Sequence, residues 1–357
     1  MKKFRKNTIV LALTFLVLLM ASCSGNPGSA DTAAEPSVEN EQLVEEETPA
    51  SAPEPAPEPE PDFSGVKVRI AQQYGMQYAP VYVMQELGLL EKHLPGAELE
   101  WSQLAGGSAM NEALIAGQLD IAFMGLPPLI IAWSKGVDYR IAAGICVPPS
   151  ELMIKKEGIN SIEDLTPTDK IGVPSVGSIQ HIMLAMAAER VLGDANALDQ
   201  NIVAMANPDA YAALISGTDI IGHMASMPYI DLETKDGCTS ILTAREAYGQ
   251  EASIICVTTS AFHSDSSGAY DGLMAALAEA IDLINAKGPE VISVISEIEK
   301  ISEEDALAYV QWPGTIYDTR AYGAWGLAQF MFEQEYIDKA PESVSDLMWD
   351  NAVAVDK

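Results

Sequence analysis

Two short turns rich in glycine and serine carry the residue types best suited to binding chemistry in this chain. Gly106-Gly107-Ser108 and Ser175-Val176-Gly177-Ser178 each follow a predicted strand and precede a predicted helix. A helix N-terminus presents unpaired backbone N–H groups and the positive end of the helix dipole, and a neighbouring hydroxyl adds a donor. The turns therefore indicate a site for an anionic or acceptor-rich group, although Ser108 and Ser178 would serve equally well as ordinary helix N-caps.

Further candidate residues lie in or near the predicted strand ends, and the turns there contain no Arg or Lys. His223 interrupts an apolar strand, so its imidazole is either a core group with a buried partner or a ligand donor. Trp312 precedes Pro313 and Gly314 on a loop that could wall a cleft. Without Arg or Lys in these turns, a desolvated anion would depend on dipoles and neutral donors, which leaves a neutral heterocycle as an alternative ligand. The predicted ligand-binding residues are Gln77, Tyr78, Gly107, Ser108, Gly125, Ser175, Gly177, Ser178, His223, Ser226 and Trp312.

The elements that must position these turns alternate between strand and helix along the chain. Such alternation predicts mostly parallel sheets with helices on their faces. One unit occurs twice, as ALIAGQLDIAFMG at 113–125 and ALISGTDIIGHM at 213–224, each with a glycine where a helix ends and a buried strand after it. We expect these units to occupy equivalent places in two α/β lobes, and the mostly helical segment after residue 262 to pack back on the first lobe.

The N-terminal part of the chain has the composition of an export and anchoring segment. Residues 1–23 combine a basic start with an apolar run too short for a comfortable membrane span, as in a secretory signal. Met20-Ala21-Ser22-Cys23 resembles a bacterial lipobox, which would attach lipid to Cys23. Residues 24–65 are acidic and proline-rich, so they predict a disordered stalk. We therefore expect a signal peptide at 1–23, a stalk at 24–65, lobe 1 at 66–152 plus 258–357, and lobe 2 at 153–257.

Composition excludes several classes of function. The chain has a net charge of −31 and no basic stripe, so nucleic-acid binding is not expected. No metal-binding spacing of Cys and His occurs, and we expect no metal or cofactor. The cysteines beyond Cys23 are odd in number, so no disulfide framework is required, and pairing of Cys238 with Cys256 stays open.

Several segments of the chain resemble one protein family. LAGGSAMNEALIAGQLDIAFMGLPPLI, DKIGVPSVGSIQHIMLAMAAERVLG and ANPDAYAALISGTDI resemble the substrate-binding proteins of ABC importers, in the nitrate, sulfonate and taurine branch, which is also similar to thiamine-precursor binders. The resemblance implies a type II periplasmic-binding-protein fold, with two lobes joined by a hinge of two crossings. It also implies a small-molecule ligand, an ABC permease with its ATPase as partners, a monomer, and attachment to the extracytoplasmic face of the cell membrane.

Two other functions fit parts of the sequence. VPSVG at 173–177 is one residue away from the GxSxG nucleophile elbow of hydrolases, but Val173 stands where the first glycine relieves crowding. His181, only six residues after Ser175, is predicted on the following helix and is not placed as a triad partner. An enzyme is therefore not expected. A lipoprotein that senses a ligand or adheres with the same fold remains open.

Overall fold

A computed structural model describes residues 61–249, 251–265 and 268–355 of the 357-residue chain. The predicted signal peptide, Cys23 and most of the predicted stalk lie outside these residues. The stalk prediction runs too far at its C-terminal end, because Phe63 is only 5% exposed and packs in the core. Its backbone N–H also donates a hydrogen bond to the carbonyl of Pro95 at 2.9 Å. Phe63 therefore belongs to the folded core.

The described residues fold into strands and helices that mostly alternate. The strands are β1 (Lys67–Gln72), β2 (Glu98–Gln103), β3 (Ile121–Gly125), β4 (Tyr139–Cys146), β5 (Ser150–Ile154), β6 (Ile171–Val173), β7 (Ile202–Ala204), β8 (Gly222–Ser226), β9 (Thr239–Thr243), β10 (Ile254–Thr259), β11 (Ala321–Tyr322) and β12 (Ala354–Val355). The helices are α1 (Ala79–Glu86), α2 (Leu89–His93), α3 (Gly107–Ile115), α4 (Leu126–Ser134), α5 (Ile179–Leu192), α6 (Asn207–Ser216), α7 (Tyr229–Lys235), α8 (Ala244–Tyr248), α9 (Ser260–His263), α10 (Ala269–Ala286), α11 (Pro289–Glu299), α12 (Glu303–Val310) and α13 (Ala324–Glu333).

Two five-stranded sheets of the same topology form the cores of two lobes. The first sheet has the order β2-β1-β3-β10-β4 and the second has the order β7-β6-β8-β5-β9. In each sheet the fourth strand, β10 or β5, runs antiparallel to both of its neighbours, and the other strands run parallel to one another. This confirms the expected α/β architecture with two mostly parallel sheets.

The repeated sequence unit occupies the same place in both lobes, as expected. Helices α3 and α6 each end at a glycine in the left-handed region, Gly117 with φ 67° and Gly217 with φ 71°. The residue after each glycine donates a backbone hydrogen bond to an alanine carbonyl five residues earlier, Ala113 at 2.8 Å and Ala213 at 3.1 Å. Each helix then leads into the central strand of its sheet, β3 or β8. In both lobes, therefore, a helix that ends at a glycine is followed by the central strand of the sheet.

The chain crosses between the lobes twice, slightly earlier than the sequence indicated. The predicted boundaries at 152/153 and 257/258 fall inside β5 and β10 respectively. Because each strand pairs along its length with one sheet, β5 belongs wholly to the second lobe and β10 wholly to the first. Among the described residues, the links between the lobes are therefore formed by 147–149, 249 and 251–253.

The C-terminal helices cover the first lobe. Helix α10 packs against α1, α2 and β4, and α13 packs against α4. This agrees with the expectation that the late helical segment returns to the first lobe. Within the described ranges, no helix combines the length and the apolar character needed to cross a membrane.

Candidate functional site

The carboxyl ends of parallel strands from both lobes meet at one place, and helices begin there. In open parallel sheets this is the edge at which ligands bind. Strands β1 and β3 of the first lobe and β6 and β7 of the second end at this edge. The helices that start beside it are α1, α3 and α4 from the first lobe and α5 and α6 from the second. Their N–H groups and dipoles are therefore directed at the space between the lobes.

A small cavity lies at this meeting point, lined mainly by uncharged polar groups and small residues. Its volume is about 10 Å³, which is room for about one water molecule. A larger ligand would therefore enter only if the lobes move apart. Among the described residues that line the cavity none is charged, and those with polar side chains are Gln73, Tyr74, Gln77 and Tyr78 from the first lobe and Ser178, Gln180 and Asn207 from the second.

Several of the groups at the cavity are donors without an acceptor. Ser178 caps α5 by accepting a hydrogen bond from the N–H of His181, which leaves the N–H groups of Ile179 and Gln180 unpaired by the helix. The side chain of Gln180 is 5% exposed and has no hydrogen-bond partner within the described part of the chain. Helix α3 begins at Gly106 without a side-chain cap, so its first N–H groups are also available. The cavity is therefore suited to a ligand rich in acceptors.

Burial favours the neutral forms of two titratable groups near the cavity, Tyr78 and His181. Burial raises the pKa of the Tyr78 phenol well above its ordinary value, so its hydroxyl stays a donor. Burial also lowers the pKa of His181, which outweighs the attraction of Asp199. The Nδ1 atom of His181 accepts a hydrogen bond from the N–H of Gly177 at 3.0 Å and so fixes the turn that carries Ser178. The site thus offers hydrogen-bond donors and dipoles rather than a fixed cation.

The two lobes touch across the cleft through backbone and side-chain contacts. The backbone N–H of Met76 donates to the carbonyl of Met227 at 3.0 Å. A Cβ atom placed on Gly106 of the first lobe would lie 2.7 Å from the carbonyl oxygen of Pro174 of the second. Because this distance is shorter than a van der Waals contact, only glycine fits at position 106 while the lobes are this close.

The structure brings five of the predicted site residues to the cavity wall and places the other serines and Gly177 around it. Ser226 donates to Oε1 of Gln77 at 3.1 Å and so orients that side chain across the cleft. Ser175 is buried. Ser108 is exposed and does not cap α3, because Gly106 holds the N-cap position. The Oγ atom of Ser108 lies 3.5 Å from the carbonyl oxygen of Val176. The five lining residues are Gln77, Tyr78, Gly107, Gly125 and Ser178.

His223 and Trp312 do not line the cavity. His223 is fully buried and pairs with Glu233, the core alternative left open by the sequence, and its other ring nitrogen faces Asn207. Trp312 instead borders a separate cavity of about 260 Å³ beside the linking segments, together with Pro148 and Ala252. The loop of Trp312 therefore walls the hinge region rather than the cleft.

Sequence reasoning missed four polar residues of the cavity wall, namely Gln73, Tyr74, Gln180 and Asn207. Each lies within two residues of the end of a strand or in the first turn of a helix. Their position at strand ends and helix starts was the available signal, since that is where open parallel sheets bind ligands.

The serine of the GxSxG-like turn is not arranged as a nucleophile. Ser175 Oγ is buried and has no hydrogen-bond partner among the described residues. A serine nucleophile is activated by an adjacent base, and the nearby imidazole of His181 is bonded to Gly177 instead.

The three cysteines of the described part, Cys146, Cys238 and Cys256, are buried free thiols. Cys238 follows α7 in the second lobe, whereas Cys256 lies within β10 of the first. Neither Cys238 nor Cys256 therefore forms a disulfide bond in the structure.

Comparison with known proteins places this chain in a family. A model described as the NMT1-like family matches residues 65–298. The taurine-binding periplasmic protein of Escherichia coli (strain K12) is 26% identical over 189 residues, which are 53% of this chain and 57% of that protein. The chain thus aligns with little more than half the length of this curated relative.

Solved structures share the fold. The alkanesulfonate-binding protein SsuA from Xanthomonas axonopodis pv. citri, bound to MOPS, superposes with a TM-score of 0.67 at 18% identity, over 80% of this chain and 99% of that one. The nitrate-binding protein NrtA from Synechocystis PCC 6803 gives 0.56 at 15% identity, over 71% and 74%. Both superpositions agree with the periplasmic-binding-protein architecture of two lobes. Because the family match covers well over half of the chain, this protein belongs to the NMT1-like family.

Proposed function

We propose that this protein is the solute-binding component of an ABC importer, and that it captures a small oxyanion between its lobes. The observation that carries this proposal is the uncharged cavity at which helices from both lobes begin. Closure around the ligand would bring donors of both lobes onto it at once, and the closed form would then dock on the permease, which acts with its ATPase. No enzymatic role is proposed.

The donors at the cavity favour an oxyanion although no cationic side chain lines it. Helix N-termini bind sulfate, phosphate and carboxylate groups through backbone N–H groups and the helix dipole. Here such termini are joined by the buried amide of Gln180 and the phenol of Tyr78. The related proteins are described as binding taurine, alkanesulfonate and nitrate, which all carry a compact oxyanionic group. A sulfonate or a nitrate-like anion is therefore the ligand class that we propose.

A neutral heterocycle, such as a thiamine-precursor pyrimidine, is the alternative ligand. It is favoured by the rings of Tyr74 and Tyr78 at the cavity and by the lack of a cation among the described lining residues. A role in ligand sensing would use the same site. In either role we propose a monomer that is exported and anchored by lipid on Cys23, at the extracytoplasmic face of the membrane.

Thermal denaturation of the full-length protein with two ligand pools tests this proposal. The first pool contains taurine, alkanesulfonates and nitrate, and the second contains pyrimidines and similar neutral heterocycles. A ligand at a hundred times its dissociation constant stabilises the folded state by about 2.7 kcal/mol, which raises the melting temperature by several degrees. We expect the first pool to do this. Stabilisation by the second pool alone would contradict the oxyanion assignment.

A further inference from the structure

A buried chain of three side chains leads from the core of the second lobe to the cavity wall. His223 on β8 lies with Nδ1 2.6 Å from Oε1 of Glu233 and with Nε2 3.3 Å from Oδ1 of Asn207. The side chains of Glu233 and His223 are both 0% exposed. Asn207, the first residue of α6, is 4% exposed and lines the cavity. The imidazole therefore connects a core carboxyl group to an amide at the ligand site.

The surroundings of Glu233 and His223 favour a pair without net charge. Oε2 of Glu233 has no hydrogen-bond partner among the described residues. An unpaired negative charge in such a place costs several kcal/mol, on the order of the penalty for any buried ion. Burial raises the pKa of Glu233, and the bond with His223 only partly offsets this. The favoured forms of the pair are therefore a carboxylate with an imidazolium and a carboxylic acid with a neutral imidazole.

Both forms of this pair leave a proton on Nε2 of His223. In the first form both ring nitrogens carry a proton. In the second form the carboxylic acid donates to Nδ1, so the single ring proton sits on Nε2. In both forms Nε2–H donates to Asn207, which requires the carbonyl end of that amide to face the ring. The Nδ2 end then has no partner in the described part of the protein and is left for the cavity.

We propose that Glu233 and His223 are positioning residues that fix the Asn207 amide with its NH₂ group toward the cavity, so that this wall selects ligands that accept hydrogen bonds. The inference deepens the proposed function, because it explains how the second lobe would favour an oxyanion without a cation. If His223 carried its only proton on Nδ1, Nε2 would accept from Asn207. The amide would then turn its carbonyl oxygen to the ligand and repel an oxyanion.

Nitrogen NMR of the histidine rings tests this inference without any ligand. The full-length protein is labelled with ¹⁵N-histidine and studied at about pH 7, near the usual histidine pKa of ~6.5. The His223 signals are assigned by single replacements of the other histidines, His93, His181 and His263, which leave the pair intact. We expect a protonated Nε2 on His223. A His223 ring with a bare Nε2 would overturn the proposal, whether or not the protein binds sulfonates.

A double-mutant cycle tests whether His223 acts through Asn207. The dissociation constant for ethanesulfonate is measured for His223→Asn in the wild-type background and in the Asn207→Ala background. The asparagine amide reaches about as far as Nδ1 of the histidine but not as far as Nε2, so it can still bond Glu233 but loses the contact with Asn207. We expect the replacement to weaken binding about tenfold in the wild-type background and less than about twofold in the Asn207→Ala background. An equal loss in both backgrounds would show a general structural effect and would overturn the positioning role.

Discussion

Replacing Gly106 with alanine weakens ligand binding by about tenfold to a hundredfold and leaves the melting temperature of the ligand-free protein nearly unchanged. The three atoms nearest to the added Cβ, at 2.7 to 3.2 Å, all belong to Pro174 and Ser175 of the second lobe. The methyl group therefore opposes closure of the lobes, whereas the first lobe itself accommodates it. Overpacking of this kind costs about 1–3 kcal/mol, and 1.4 kcal/mol is a factor of ten in affinity.

Gly288→Ala is the matched control for this prediction. Gly288 is also a helix N-cap, with φ −62°, and a Cβ there would have no atom within 4 Å. We expect this variant to bind ligand like the wild type. Calorimetric titration and thermal denaturation of both variants give the two quantities needed. Unchanged affinity in Gly106→Ala would mean that the ligand does not require the close approach of the two lobes.

Replacing Gln180 with glutamate abolishes sulfonate binding, with a loss of at least about a hundredfold. The two side chains have nearly the same shape, so the change replaces a buried donor with a negative charge at the cavity. Loss of a hydrogen bond to a charged ligand costs about 1.5–3 kcal/mol, and repulsion at about 4 Å adds ~1–4 kcal/mol. We expect the free protein to lose stability as well, because Gln180 is 5% exposed and the helix dipole offsets only about 0.3–1 kcal/mol of the cost of burying a carboxylate, so the melting temperature is measured beside the affinity.

Gln200→Glu adds the same charge on an exposed position of the same lobe and serves as the control. We expect it to keep wild-type affinity in the same titration. If the ligand is instead a neutral heterocycle with donors of its own, Gln180→Glu would retain or strengthen binding. That result would contradict the oxyanion assignment and support the alternative.

Local signals made the framework of the fold predictable. Gly117 and Gly217 mark helix ends because glycine adopts the left-handed backbone conformation there with little strain. Both helix–strand units that contain these glycines were predicted at the correct places. Strands β5 and β9 were not predicted as part of the second sheet. They pair with each other across more than eighty residues of intervening chain. Such pairing depends on tertiary contacts rather than on a local pattern.

The site was only partly predictable, for a similar reason. Glycine and serine turns have a local signature, and Ser178 was correctly expected to cap its helix. The roles of Gln180 and Asn207 depend on the approach of lobes whose residues are far apart in sequence. A buried imidazole at His223 was expected to need a partner, but Glu233 lies on a following helix that the sequence did not reveal.

The central claim is that the cavity recognises the charge of a small oxyanion with neutral donors. Its most direct test is calorimetric titration of the full-length protein with methanesulfonate and with dimethyl sulfone, which have nearly the same shape but differ by one negative charge. We predict that methanesulfonate binds at least about tenfold more tightly, because hydrogen bonds to a charged acceptor are the stronger ones. Equal affinity for the two compounds, or tighter binding of the sulfone, would contradict the account.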